Sequence, residues 1–282
     1  MSSIPTKQKD RYILVLYDFS ASAENALKHG IKLSFVLQSK LCIATFLPSK
    51  IGTEEFENTK KSLASVAAMV QTNHDIEVIA YAMKGKMSKL LHSFSDVIET
   101  VLVVVGMNKP YFVFQKKISQ ILRIIRRSRI PYFIVPENAK LNEYTHIILP
   151  VSYTRQDKEK IAWASYFARL NQSTIHALIA KARDGFIRTG ISNNVQFLNK
   201  MYSSLNVYYK LINTDKDILK LDAYAIEYAV EHNAGLVMTI VPERADLFDL
   251  ILGSTEKKNI MNVYDMPILC ISPRDDMYVL CS

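Results

Sequence analysis

Apolar runs and helical periodicities alternate along the whole chain. Tyr12–Leu16 is continuously apolar, which is typical of a strand covered on both faces in a parallel sheet. After the polar turn Asp18-Phe19-Ser20, small and apolar residues recur at helical spacing up to Ser34 and predict a helix that lies close to the sheet. Further strands are predicted at 40–47, 75–82, 100–106 and 131–135, with helices near 53–72, 87–94 and 116–129.

The same order of elements returns in the second half. Thr145–Leu170 resembles Arg11–Leu37 at an offset of 134 positions, and the offset also aligns features near the end of each half. Strands are predicted at 146–151, 173–180, 206–212, 236–241 and 267–271, and helices at 155–170, 191–204, 218–232 and 244–261. The pattern predicts an α/β protein with two doubly wound five-stranded parallel sheets in tandem. The expected division is 1–138 and 143–274, with a tail at 275–282.

Composition places the chain among ordinary globular proteins. It has 282 residues, 49% hydrophobic and 22% charged, which suits two domains. The first ten residues lack the apolar core of a signal peptide, and no apolar run approaches the roughly 18 residues of a membrane span. Three cysteines provide no disulfide framework. A cytoplasmic location is therefore the expectation.

Charge differs sharply between the halves. Residues 1–140 carry 20 Lys and Arg against 11 Asp and Glu, a net charge of +9, whereas residues 141–282 carry 15 against 16. The helix at 116–129 contributes six of these basic residues beside an Ile/Leu stripe. Nucleic acid or an acidic partner would fit such a surface. We favour a helix that packs on the sheet and keeps a solvated outer face, so nucleic acid is not an expected partner.

Three sequence features resemble the universal stress protein family. They are the turn and helix start DFSASAENAL, the small residues of that helix, and a last strand preceded by proline in each half, RIPYFIVP and DMPILCISP. The resemblance covers nearly the whole chain and implies strand order 3-2-1-4-5 in each half. It also implies that the halves pair as a pseudo-dimer with their fifth strands edge to edge, which would cover an open strand edge. A further homodimer of whole chains is left open.

Some members of that family bind ATP through the pattern G-x2-G-x9-G-[ST] after the fourth strand. Glycines let backbone amides surround phosphate oxygens, and the following helix N-terminus adds partial positive charge. In the first half, Gly106, Lys109, Ser119 and Gln120 occupy these positions, and Asp18 follows the first strand. Only one glycine of three is present, although Lys109 offers a cation to a phosphate. Asp18 is either a ligand residue or the cap of the helix that follows, and Ser20 or Ser22 can also cap that helix.

In the second half the corresponding positions hold Ile240, Glu243, Gly253 and Ser254. Pro150 matches the family's usual proline in the first strand. A β-branched residue and an acid at the first two positions disfavour a phosphate there. The resemblance therefore implies a degenerate adenine-nucleotide site, for ATP, that is better preserved in the first half.

The predicted function is that of a non-enzymatic stress-response protein with this degenerate site. Two alternatives stay open, an interaction scaffold that binds no nucleotide and a slow ATPase, and the sequence identifies no protein partner. No P-loop and no G-x-S-x-G elbow occurs. The six histidines show no metal-ligand spacing and are expected to be ordinary surface or interface residues.

Overall fold

The computed structural model describes residues 10–108, 115–241, 259 and 262–273 of the chain. The first half contains five strands, β1 (Tyr12–Leu16), β2 (Lys40–Leu47), β3 (Val78–Lys84), β4 (Thr100–Met107) and β5 (Tyr132–Pro136). Its helices are α1 (Ala21–Val36), α2 (Thr53–His74), α3 (Met87–Val97) and α4 (Gln115–Ile125).

The second half repeats this succession. Its strands are β6 (His146–Val151), β7 (Thr174–Ile179), β8 (Tyr209–Asn213), β9 (Leu236–Ile240) and β10 (Ile268–Ile271). Its described helices are α5 (Asp157–Asn171), α6 (Gly185–Ser204) and α7 (Ile218–Glu231). The helix predicted at 244–261 lies outside the described residues except for position 259.

All ten strands form one sheet, in the order β3-β2-β1-β4-β5-β10-β9-β6-β7-β8. Within each half the described pairs are parallel, and the order from the outer edge inward is 3-2-1-4-5 in both. The halves join through an antiparallel pair, β5 with β10, in which Leu269 faces Phe133. The predicted strand order and the meeting of the fifth strands are confirmed. The domain division at 138 and 143 stays a prediction.

Local sequence explains where several helices begin. Asp184 caps α6 by accepting a hydrogen bond from the amide of Ile187 at 3.0 Å, so α6 starts six residues before the predicted position 191. Asp217 caps α7 in the same way, through the amide of Lys220 at 3.1 Å. The apolar stripe alone misplaced the start of α6, because the first turns of that helix are largely exposed.

The segment between the halves is held by α1. The amide nitrogen of the Asn25 side chain donates to the carbonyls of Pro136 and Ala139, at 3.1 and 3.0 Å. The ammonium of Lys32 donates to the carbonyl of Asn142 at 3.1 Å. Below them the rings of Phe133 and Tyr144 pack edge to face, with 5.9 Å between centroids. The two halves therefore share a continuous core as well as a sheet.

Among the described residues, no helix is both long and apolar enough to cross a membrane. Two of the three cysteines, Cys42 and Cys270, are buried in strands β2 and β10, where they pack as small apolar residues.

Candidate functional site

The predicted ligand crevice of the first half lies where β1 and β4 end. These strands are neighbours, but the chain leaves them in opposite directions, β1 toward β2 and β4 toward β5. Open α/β sheets bind ligands at this kind of switch point, beyond the carboxyl ends of the strands. Asp18 and Gly106 both lie at this edge, so the structure brings together two of the predicted site residues.

Ser20, not Asp18, caps the helix at this edge. Its hydroxyl oxygen accepts a hydrogen bond from the amide of Ala23 at 3.2 Å. Asp18 is exposed, and its carboxylate accepts hydrogen bonds from the amide and the hydroxyl of Ser20, at 3.3 and 2.5 Å. Asp18 therefore orients the capping residue. The capping alternative for Asp18 is wrong, because Ser20 has the extended backbone that a cap needs.

Phe19, in the loop after β1, has a backbone conformation that is rare for a bulky residue. Its φ of 61° is in the left-handed region, which costs a bulky side chain roughly 1–2 kcal/mol. Its ring packs edge to face on Tyr17, with 5.0 Å between centroids, yet stays 43% exposed. The hydroxyl of Tyr17 donates to the Glu24 carboxylate, and burial raises the pKa of Tyr17. Strained, exposed aromatic residues at a switch point are a common feature of ligand sites.

A cavity of about 450 Å³ opens beside the Phe19 ring. Its other wall is the first half of α2, which contributes Glu54, Glu55, Asn58 and Thr59. The wall offers carboxylate, amide and hydroxyl groups and no cation among the described lining residues. Such a wall suits the hydroxyl and amino groups of a nucleoside and repels a phosphate.

Gly106 is required by packing as well as by its predicted role. A β-carbon at this position would lie 2.1 Å from the carbonyl oxygen of Ser22 and 2.8 Å from the amide nitrogen of Ala23. Both are backbone atoms of the first turn of α1, so they cannot move aside without shifting the helix. The glycine lets β4 and the start of α1 approach closely at this edge of the sheet.

The remaining predicted residues of the first half are not brought into the described crevice. Lys109 lies outside the described residues, and nothing is described of the Ser119 side chain. Gln120 is exposed on α4 and lines a different groove, shared with α3. The structure therefore supports Asp18 and Gly106 as neighbours and gives Gln120 other surroundings.

The equivalent edge in the second half is built differently. Pro150 is buried in β6 and pairs in register with Leu178 of β7. On its other side β6 pairs with β9 only at Ile147 and Ile148, before the proline. Because proline has no amide hydrogen, it ends this ladder early, and β6 and β9 separate toward their carboxyl ends. Gly253 and Ser254, the other residues predicted here, lie outside the described part of the chain.

Protein groups occupy the space where a ligand would approach the second half. The buried carboxylate of Asp157 accepts a hydrogen bond from the amide of Ser152 at 2.5 Å and forms an ion pair with buried Lys160 at 3.2 Å. The side-chain amide of Asn194 donates to the carbonyls of Ser152 and Thr154, at 2.9 and 2.7 Å. The loop after β6 is thus tied to α5 and α6 by internal bonds.

A second acid completes this internal network. Asp222 of α7 accepts a hydrogen bond from the hydroxyl of Thr239 at 2.8 Å. Burial raises the pKa of Asp222, whereas the positive charge of Lys160 and the Thr239 hydrogen bond lower it. Sequence analysis missed Asp157, Lys160 and Asp222, because they align with Ala23, Ala26 and Ser88 of the first half. An acid and a lysine on the buried face of α5 were the available signal.

The histidines are less ordinary than predicted. His29 and His176 are 0% and 3% exposed, which corrects the expectation that each histidine is a surface or interface residue. The rings of His146 and His176 lie 5.0 Å apart, and His232 stacks on Tyr228 at 3.7 Å. Folding brings these residues together from β6, β7 and α7, which spacing along the chain does not reveal. The described residues include no group of three or more His, Cys, Asp or Glu that could hold a metal ion.

Comparison with solved structures assigns the fold. A universal stress protein from Archaeoglobus fulgidus matches with a TM-score of 0.68 at 11% identity, over 95% of this chain and 98% of its own. A putative universal stress protein from Pseudomonas aeruginosa matches with a TM-score of 0.59 at 13% identity, over 96% of each chain. The cytoplasmic domain of a prokaryotic cation chloride cotransporter matches with a TM-score of 0.54 at 12% identity, over 96% of this chain and 98% of that one.

Fold and topology together define a tandem, doubly wound α/β protein with a switch point in the sheet of its first half. Its architecture is that of the two-domain universal stress proteins, as the sequence features suggested. No family model matches the sequence, and no curated protein matches it either. At these identities the agreement concerns the fold.

Proposed function

We propose that this chain is a tandem universal stress protein that binds an adenine nucleotide in the crevice of its first half and acts as a stress-responsive binding module in the cytoplasm, without catalysis. The observations that carry the proposal are the cavity beside Phe19 and, at the same edge of the sheet, the positions of Asp18 after β1 and of Gly106 near the end of β4. The adenosine would lie between the Phe19 ring and the polar wall of α2. Its phosphates would point away from Glu54 and Glu55, toward the carboxyl end of β4.

Two predicted site residues have definite roles in this proposal. Asp18 follows β1 at this edge of the sheet and would accept hydrogen bonds from the nucleoside. Gly106 brings the start of α1 against β4, so the first amides of α1 border the ligand. Pro150, Gly253 and Ser254 have no role, because in the second half Asp157 and Asn194 already bind the loop that a nucleotide would contact.

The test is a thermal-shift and calorimetric titration of the full chain with ATP and Mg²⁺. A ligand that binds only the folded state raises the melting temperature by mass action. We expect saturable binding that Asp18→Asn weakens. Asp215→Asn, which removes an exposed carboxylate in the second half, is the matched control and should leave binding unchanged. Equal affinity in both variants, or no binding at millimolar ATP, would contradict the proposal.

A second candidate is an interaction scaffold that binds no nucleotide. The internally bonded loop of the second half favours it, since that half has replaced a ligand site with Asp157, Lys160 and Asn194. Absence of any ATP-dependent shift, with the chain folded, would select the scaffold. Release of ADP in the same titration would instead select a slow ATPase.

A further inference from the structure

A groove separates α3 from α4 on the outer side of the first half. It encloses a cavity of about 760 Å³, larger than the one beside Phe19, and the two cavities share none of their lining residues. We call it the α3–α4 groove. Right-handed crossovers place α1 and α2 on one face of the sheet and α3 and α4 on the other, so the groove and the proposed nucleotide crevice use different faces.

Four cations converge on the α3–α4 groove. Lys86 and Lys89 come from the start of α3, and Arg123 and Arg127 come from α4. The two arginines are four residues apart, so they lie on the same face of their helix. No acidic residue is among the described residues that line the groove.

These cations also lack the partners that lysines elsewhere in this half possess. Lys32 pairs with Glu143 at 2.5 Å, and Lys40 pairs with Asp10 and Glu77 at 2.8 and 2.6 Å. By contrast, none of the four groove cations forms an ion pair with a described residue, whereas His92, which also lines the groove, lies 3.9 Å from Asp96. Four neighbouring positive charges repel one another, and a bound anion removes that repulsion.

The N-terminus of α3 adds to the positive electrostatic potential of the four cations. Lys86 occupies the capping position and makes no side-chain capping bond, and the first turn contains no acid. No acidic side chain in the first turn therefore neutralises the positive end of the helix dipole, and this partial charge adds to the positive charge of the two lysines. This contribution supports the four side chains and would not define a site by itself.

The size and floor of the groove limit the class of ligand. A volume of about 760 Å³ is within the usual range of small-molecule sites, roughly 300–1,000 Å³. Half-buried Met87 and Ile124 and buried Tyr132 form an apolar floor below the charged rim. The Tyr132 ring is only 2% exposed, so among the described lining residues the imidazole of His92 is the one exposed ring on which an unpaired base could stack, and the groove has no phenol or indole platform.

We propose that the α3–α4 groove is a second binding site, for a small polyphosphate with two or more adjacent phosphate groups. Arg123 and Arg127 bind the phosphates through paired N–H groups, which match phosphate geometry, and Lys86 and Lys89 neutralise the remaining charge. The phosphates come from an inorganic chain or from an ester on an organic body. In the second case the body rests on Met87 and Ile124.

The experiment titrates the full chain with inorganic tripolyphosphate by isothermal calorimetry at low salt. This probe has no base or sugar, so it reports on phosphate recognition only. We expect saturable binding that the double variant Arg123→Gln/Arg127→Gln weakens by about tenfold or more, through loss of two charge-assisted contacts. The matched control, Arg188→Gln/Lys200→Gln, removes two exposed cations from α6 in the other half and should change the affinity less than about twofold.

Absence of tripolyphosphate binding, or equal weakening by both double variants, overturns the proposal. The proposal is also overturned, in favour of a nucleic-acid surface, if a single-stranded oligonucleotide binds more tightly than tripolyphosphate and the groove variant loses that binding. A parallel titration with inositol hexakisphosphate distinguishes the sources. If inositol hexakisphosphate binds more tightly than tripolyphosphate and Met87→Gln decreases that affinity, the natural ligand is an organic phosphate. If the two ligands bind with equal affinity, the groove recognises the phosphates alone.

Failure of this proposal is distinguishable from failure of the nucleotide proposal. Asp18→Asn should leave tripolyphosphate binding unchanged, and the groove variant should leave adenosine binding unchanged. Circular dichroism melts of each variant show whether the chain is folded before its binding is compared.

Discussion

Gly106 lies against Ser22 so closely that a β-carbon on the glycine would fall 2.1 Å from the serine carbonyl oxygen. The contact joins the fourth strand to the first turn of the first helix, directly below the proposed nucleotide crevice. Two of the three glycines of the nucleotide pattern are absent from this half, yet the one that remains is the one that packing demands. Its presence is thus explained by the fold, whether or not a phosphate binds nearby.

Gly106→Ala should destabilise the protein. The obstructing atoms belong to the backbone of α1, so relief requires a helix shift, and overpacking of this kind costs about 1–3 kcal/mol. Gly185→Ala is the control, because a β-carbon there has no neighbour within 4 Å and the residue starts a helix. Urea unfolding measures both, and a Gly106→Ala protein as stable as the control would show that the approach is looser than described.

Phe19→Asn should separate ligand binding from stability. Asparagine tolerates the left-handed backbone better than phenylalanine, which offsets the lost packing on Tyr17 and leaves the free energy of unfolding within about 1 kcal/mol of the wild type. Nucleotide affinity should fall, because the ring that borders the cavity is gone. Phe35→Asn replaces another exposed ring of the first half, and calorimetry with ATP should detect no change in that variant.

Stability should fall as the pH decreases below about 6.5, the ordinary pKa of histidine. Burial, with a smaller effect of the Lys32 charge, lowers the pKa of His29 to about 4, so the unfolded chain binds a proton that the folded chain does not. The loss from His29 should reach about 2 kcal/mol near pH 5. The pKa of His176 is also lowered to about 4, by burial and by His146, Lys210 and His232, and contributes in the same direction.

The measurement for this prediction is urea unfolding at several pH values between about 7 and 5. His29→Phe should flatten the profile, although it also removes the 3.0 Å hydrogen bond to the Tyr144 hydroxyl and so lowers stability at neutral pH. His92→Gln, at an exposed position, should keep the wild-type profile. A His29→Phe profile as steep as the wild type would contradict the assignment.

Lys160→Met should be among the most destabilising single substitutions in the second half. It leaves the carboxylate of Asp157 buried without its ion-pair partner, a change that costs about 3–5 kcal/mol. Asp157→Asn/Lys160→Met should be more stable than Lys160→Met alone, since the neutral amide oxygen still accepts from the Ser152 amide. Denaturant unfolding of the two single variants and the double variant gives the coupling free energy, and additive losses would refute the pairing.

The sequence by itself determined the repeat and the alternation of strands and helices, and the strand order of each half followed from the family resemblance. Continuous apolar runs such as Tyr12–Leu16 and 3.6-residue stripes depend on local periodicity, and periodicity is readable along one chain. Even the edge-to-edge meeting of β5 and β10 followed from a resemblance carried by short motifs. Helix starts that are set by a polar capping residue, such as Asp184, were predicted less accurately, because the cap lies outside the apolar stripe that marks a helix.

Only the tertiary structure decided which side chains meet. Of the caps that the sequence allowed, Ser20 is the one that caps α1, and Asp157 pairs with Lys160. His176 and His232 both contact Tyr228, and His146 contacts His176. The tertiary structure also placed Lys86 and Lys89 opposite Arg123 and Arg127, which lie more than thirty positions away. Such groupings depend on distances between elements packed on a common sheet, and those distances follow from the fold as a whole, not from the spacing of residues along the chain.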